Sequence, residues 1–175
     1  MPLTNKLIAE TAFNLGFDLV GFSRAEQLEN EMKHFREWLN KGYHADMHYM
    51  ERNVEKRENV KEILPSAESV ISLALVYNTP ESHSGKNDTG KISRYAWGKD
   101  YHLIIWEKLD NFVSEIKKTE PLFEAKTYVD TGPVMDKVWA VRSGLGWMGK
   151  NTNIINREKG SWFFIATVIC NYKFD

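Results

Sequence analysis

Val70-Ile71-Ser72-Leu73-Ala74-Leu75-Val76-Tyr77, bounded by Pro65 and Pro80, is a β-rich run with almost no polar interruption. A strand with one wet face would alternate apolar and polar residues, so this pattern predicts a strand buried on both faces, at the centre of a sheet. On its N-terminal side, Thr4 can cap a helix whose Leu7, Ile8, Ala12 and Leu15 recur at helical spacing, and Gly16 can end it in a left-handed turn. Phe17 to Phe22 reads as a strand. A second helix is predicted from about Ala25 to Lys41, with Leu28, Met32, Phe35 and Leu39 on one face and Gly42 as its stop. Residues 51–62 interleave Arg52, Lys56, Arg57 and Lys61 with Glu51, Glu55, Glu58 and Glu62, the pattern of a solvated helix face. Beyond the central run, Thr79 to Gly90 mixes turn-forming residues and reads as a surface loop. Tyr101 to Lys118 is amphipathic, with Tyr101, Ile105, Leu109, Phe112 and Ile116 as its inner stripe. A short strand closes at Thr127 to Val129, Pro133 starts a helix that stops near Gly144, and Ser161 to Cys170 is a final strand. At least four strands and four helices alternate, which predicts helices packed on a sheet, α/β or α+β, with strand order left open.

The 175 residues carry 23 Lys and Arg against 24 Asp and Glu, with 42% hydrophobic residues. That composition excludes disorder, and one domain, residues 1–175, is the expected count. A domain of this size buries roughly 70% of its unfolded surface, enough to hold a core without a disulfide or metal. A net charge of -1 excludes a global field for polyanions, so any such site must be local. Cys170 is the only thiol, which rules out an internal disulfide and any zinc or iron-sulfur site built from the chain's own cysteines. The N-terminus lacks a secretory pattern, and the longest apolar runs are too short to span lipid, so a cytoplasmic protein without a membrane partner is expected.

Three segments could carry chemistry. Gly144-Leu145-Gly146-Trp147-Met148-Gly149-Lys150-Asn151-Thr152 matches the letters of two phosphate motifs, but a helix precedes it instead of a strand. No acidic residue follows at the Rossmann distance, and Asn151 stands where a P-loop needs a hydroxyl. What survives is backbone that a ligand can approach closely, with Lys150 beside the Trp147 indole, features that suit a large planar ligand. Lys137, Arg142, Lys150, Arg157 and Lys159 against Glu158 make this region locally positive. A helix C-cap followed by a tight hairpin would explain the glycines alone. Val129-Asp130-Thr131-Gly132-Pro133 puts a carboxylate at a strand end, where Asp130 either does chemistry or caps the next helix. As a general acid Asp130 would need its pKa raised by about three units, which takes an apolar, water-poor pocket. Ser93 to His102 gathers Trp97, Tyr101 and His102 in what reads as a ligand-contacting loop, or as a turn capped by Asp100. His44 and His48 have metal-ligand spacing for a helix, but no Glu or Cys completes the set, so no metal site is expected there. Cys170 reads as a core residue.

Taken together and in order, several segments resemble the cobalamin-binding N-terminal part of the epoxyqueuosine reductase family. They are Gly16-Phe17-Asp18-Leu19-Val20-Gly21, Arg57 with Ile63-Leu64-Pro65, Gly98-Lys99-Asp100-Tyr101-His102, Asp130-Thr131-Gly132-Pro133, and Gly144 to Thr152 leading into Gly160-Ser161-Trp162. The resemblance implies an α+β fold, an antiparallel or mixed sheet flanked by helices, like the flavin nitroreductases but adapted to a corrinoid. It implies reductive deoxygenation of epoxyqueuosine in tRNA by reduced cobalamin, with Asp130 as proton donor. Cofactor contacts are expected from Arg57, Trp97, Tyr101, His102, Asp130 and Trp147, and from the 150–157 loop through Lys150, Asn153, Ile154 and Arg157. The family continues into a ferredoxin-like domain with two four-cysteine clusters that reduce cobalt, often followed by tRNA-holding repeats. Its absence here implies a fragment, or a split form that borrows electrons from a partner; the end directly after a strand favours the fragment. Two other classes stay open, a corrinoid carrier without catalysis and a flavin-dependent oxidoreductase.

Overall fold

A computed structural model describes residues 2–174. Its helices are α1 (Asn5–Asn14), α2 (Glu29–Asn40), α3 (Val54–Glu58), α4 (Tyr101–Thr119) and α5 (Asp136–Arg142). The strands are β1 (Leu19–Arg24), β2 (Ser69–Val76), β3 (Ala125–Tyr128), β4 (Trp147–Met148), β5 (Ile154–Ile155) and β6 (Phe163–Cys170). Four of them form an antiparallel sheet in the order β1-β2-β6-β3, and β4 and β5 form a separate hairpin.

The Val70 run occupies an inner position of that sheet, as its composition requires. Successive side chains of a strand point to opposite faces. Ile71 and Leu73 pack with Ala166 and Val168 against Ile8 of α1 and Ile105, Leu109 and Phe112 of α4. Val70 and Ile169 face the other way, onto Met32 and Phe35 of α2 and Trp139 of α5. A third cluster joins Ala74 to Ala140 and Leu145. Helices therefore cover both faces, and the antiparallel alternative is the one observed. Among the described residues no helix is long and apolar enough to cross a membrane.

Local signals place most helix ends. The Thr4 hydroxyl accepts the Leu7 amide at 3.2 Å, Asp100 accepts the His102 amide at 2.9 Å, and Gly16 turns the chain at φ +83°. Other ends move because tertiary bonds compete. Helix α2 begins at Glu29, not Ala25, since the Ala25 amide bonds the Glu68 carbonyl and the Leu28 amide bonds that of Glu58. Helix α5 begins three residues after Pro133, leaving Asp130 to Met135 as an irregular loop. Residues 51–62 form no single helix; Asn53, at φ +55°, separates a 3-10 turn from α3, and Arg57 and Val60 are buried. The solvated-face reading fails at Arg57.

The glycine-rich segment takes the helix-cap and hairpin form. Gly144 leaves α5 at φ +78°, and a Cβ on Gly146 would stand 2.2 Å from the Ile155 carbonyl oxygen. Hairpin geometry accounts for these glycines.

Candidate functional site

An open cavity of about 1310 Å³ lies where the β3–α5 loop, the start of β6, the 49–57 segment and the tip of the β4–β5 hairpin meet. Pockets for drug-sized ligands run to roughly 1,000 Å³, so this one has room for a larger molecule.

Asp130 sits on its rim. The residue holds φ +58°, a left-handed conformation that side chains other than Gly, Asn and Asp seldom adopt. The Tyr101 hydroxyl, from the first turn of α4, donates to Asp130 Oδ2 at 2.8 Å. Tyr101 is fixed in turn, stacked on Phe164 at 4.0 Å and 7° and beside His102 at 4.0 Å. Burial, with the Asp130 carboxylate as its acceptor, pushes the Tyr101 hydroxyl far above its ordinary range, so it stays a donor. Asp130 itself is exposed. The water-poor pocket expected around this carboxyl is not present in the described conformation, because the irregular loop carries it outward.

The enclosed acid is a different one. Asp136 opens α5 at the cavity wall, where the Thr167 hydroxyl of β6 donates to its Oδ1. Burial, reinforced by the nearby Asp130 carboxylate, pushes Asp136 up to about 6, against the opposing pull of Thr167 and Arg57. Arg57, buried on α3, faces the same cavity, and its Nε has no hydrogen-bond partner. Burial lowers the Arg57 pKa while the Asp136 charge raises it. Nothing in the sequence reading pointed to Asp136; its placement at a predicted helix start, six residues past Asp130, was the available signal.

This carboxyl gives a pH-dependent stability. The folded chain keeps the proton on Asp136 to about pH 6, whereas an unfolded Asp releases it near pH 3.9. Between those values the folded state binds more protons, so stability falls as pH rises through the window. Asp136→Asn, which can still accept from Thr167, is expected to be more stable than the parent by about 2–3 kcal/mol near pH 7.5 and to match the parent near pH 3.5. Urea melts at the two pH values check it.

Of the residues singled out by sequence, Arg57, Tyr101, Asp130 and Asn153 line the cavity. Lys137 ties Asn153 in place, its Nζ donating to the Thr152 carbonyl at 2.8 Å and to Asn153 Oδ1 at 3.3 Å. Met148 and Thr152 of the hairpin also line it, whereas Trp147, Lys150 and Arg157 do not. Ile154 is buried in the core with Ala140 and Leu145. His102 stands behind Tyr101, its Nδ1 2.8 Å from Asp100 Oδ1 and its Nε2 buried without a partner. Trp97 lies apart, its indole donating to the Ile92 carbonyl at 2.8 Å, within stacking range of His83 and under the Arg94 guanidinium.

Residues 57–131, which include Arg57, Tyr101 and Asp130, match the family described as "Epoxyqueuosine reductase QueG, DUF1730". An epoxyqueuosine reductase of Synechocystis sp. is 44% identical over 154 residues, 87% of this chain and 53% of the relative. The structure of epoxyqueuosine reductase from Streptococcus thermophilus superposes with a TM-score of 0.90 at 32% identity, over 99% of this chain and 47% of that one. An epoxyqueuosine reductase solved with an epoxyqueuosine-modified tRNA-Tyr stem loop gives a TM-score of 0.84 at 30% identity, over 97% and 46%. At 14% identity, a reductive dehalogenase whose structure is described as suggesting a mechanism for B12-dependent dehalogenation shares the fold, with a TM-score of 0.62 over 100% of this chain and 21% of that one. The chain thus spans about half the length of the curated relatives it matches. Over most of its length the chain is thus similar in sequence and in fold to about half of an epoxyqueuosine reductase.

Proposed function

We propose that this chain holds cobalamin in its cavity, with Asp130 on the rim, and serves the reduction of epoxyqueuosine in tRNA to queuosine, the last step of tRNA queuosine biosynthesis. The observation that carries this reading is the juxtaposition of a cavity of about 1310 Å³ with Asp130, held by Tyr101, at its mouth.

The residues present fit a corrin. The cavity is large and open, and Arg57 Nε, buried and unpartnered, is a donor suited to the polar edge of a ring such as an amide carbonyl. Asn153 and Thr152 offer further polar contacts from the hairpin. Reduced cobalamin would supply the two electrons that, with two protons, convert the epoxide to an alkene and water.

Asp130 delivers a proton to the epoxide oxygen as its C–O bond breaks, a general-acid role. Tyr101 fixes the direction of that carboxyl through Oδ2. A bound ring and a tRNA base over the mouth would exclude water from the now exposed Asp130.

Clusters that deliver electrons must come from elsewhere, because Cys170 is the only cysteine and is buried. A downstream iron-sulfur domain or an electron-donating partner fills that part, and a tRNA substrate is in keeping with a cytoplasmic setting.

Supplied with cobalamin, a strong chemical reductant and a stem loop carrying epoxyqueuosine, the chain is expected to form the alkene, read by mass spectrometry as loss of one oxygen. Failure with the corrin bound and reduced would overturn the reading.

A further inference from the structure

Outside the cavity, the turn between α2 and α3 brings together three side chains that the sequence reading kept apart. His44 and His48 do not share a helix; His44 lies in a turn next to Ala45, at φ +46°, and His48 begins a 3-10 turn that ends at Glu51. Glu51 supplies the carboxylate that the pair was expected to lack. Its Oε1 is 3.1 Å from His44 Nε2, and its Oε2 is 3.3 Å from His48 Nδ1. One ligand atom from each residue falls within 4.8 Å of the other two.

We infer that His44, His48 and Glu51 form a binding site for one divalent transition-metal ion of the zinc type. Two imidazoles and a carboxylate are the ligand chemistry that zinc accepts, with water completing the shell of a three-ligand site. Zinc bonds of 2.0–2.1 Å to nitrogen put neighbouring ligand atoms about 3.3 Å apart in a tetrahedron, close to the two histidine–carboxylate separations observed. The wider separation closes by rotation of His48 and Glu51, both exposed. His44 is the anchor: the residue is 8% exposed, its ring lies 5.8 Å from that of Trp38, and its Nδ1 is buried without a partner. The ring's polar contact therefore runs through Nε2, the atom aimed at Glu51.

Binding has a structural consequence. Tyr49, Met50, Arg52 and Asn53, which line the large cavity, lie within or just beyond the His44–Glu51 segment. An ion there clips this wall to the end of α2. The site stands independently of any corrin, so its test and that of the proposed function fail separately.

The test is titration of chelator-stripped chain with zinc ion in competition with a chromophoric chelator, alongside cobalt(II) as a spectroscopic substitute. One equivalent is expected to bind in the micromolar range or tighter, with cobalt giving visible ligand-field bands. Loss of an outer-shell partner weakens metal sites about 10- to 100-fold, so removing a direct ligand in His48→Ala or Glu51→Gln should cost at least about tenfold. Both positions are exposed, and circular dichroism should confirm an unchanged fold; His34→Ala, remote in sequence, should bind as the parent does. Absence of a bound equivalent, or affinity in His48→Ala and Glu51→Gln equal to that of the parent, would overturn the site.

Discussion

Asp130→Asn is expected to keep cobalamin affinity and to lose alkene formation by about 10²–10⁴-fold, the usual range for removal of a general acid. Asparagine has the same shape and can accept the Tyr101 hydroxyl as Asp130 does, so the loop keeps its anchor. It also tolerates the left-handed backbone found at φ +58°, which alanine would strain. What it cannot do is release a proton to the epoxide oxygen. The measurement is a single-turnover assay on the electron-competent enzyme, or on this chain with chemical reductant, with bound corrin quantified in the same sample. A loss of turnover that tracks loss of corrin would reassign Asp130 to binding, and undiminished turnover would remove it from the mechanism.

The largest loss of stability is expected from Gly21→Ala. A Cβ there would stand 2.1 Å from the Ser143 carbonyl oxygen and 2.5 Å from Leu145 Cδ1. Backbone at the end of α5 has little freedom to retreat, because the Ser143 amide bonds the Trp139 carbonyl and its hydroxyl lies 2.9 Å from that of Ser72 on β2. Overpacking of this kind costs about 1–3 kcal/mol and more where backbone must move, which for a chain of this size lowers Tm by roughly 5–10 °C. Gly98→Ala, where an added Cβ meets nothing within 4 Å, is the matched control and should melt close to the parent. Equal melting of the two variants would contradict the packing of β1 against α5. Since α5 also carries Asp136, a partly relaxed Gly21→Ala chain should bind corrin more weakly.

The central strand was legible because a run apolar on both faces has few other places to go, and the helix covering each side follows from it. Caps at Thr4 and Asp100 were legible because their bonds are local. Strand order and the late start of α2 were not, since they depend on partners such as Glu58 and Glu68, distant or only indirectly linked in sequence. In the site, Asp130 and Arg57 were found through family resemblance together with chemistry. Asp136 was missed because its significance comes from enclosure beside Thr167, which no spacing encodes. Glu51 was missed for the opposite reason: assuming a helix through His44 and His48 hid a turn that brings the carboxylate to both rings. The hairpin glycines show that a motif can match by letter for backbone reasons alone.

Binding of the cofactor is the point on which the rest turns, and the visible spectrum of the purified chain after incubation with cobalamin and gel filtration reads it directly. Corrin absorbance co-eluting with the protein at one equivalent per chain is the predicted result. A colourless protein peak, with all of the corrin in the small-molecule fraction, would contradict it.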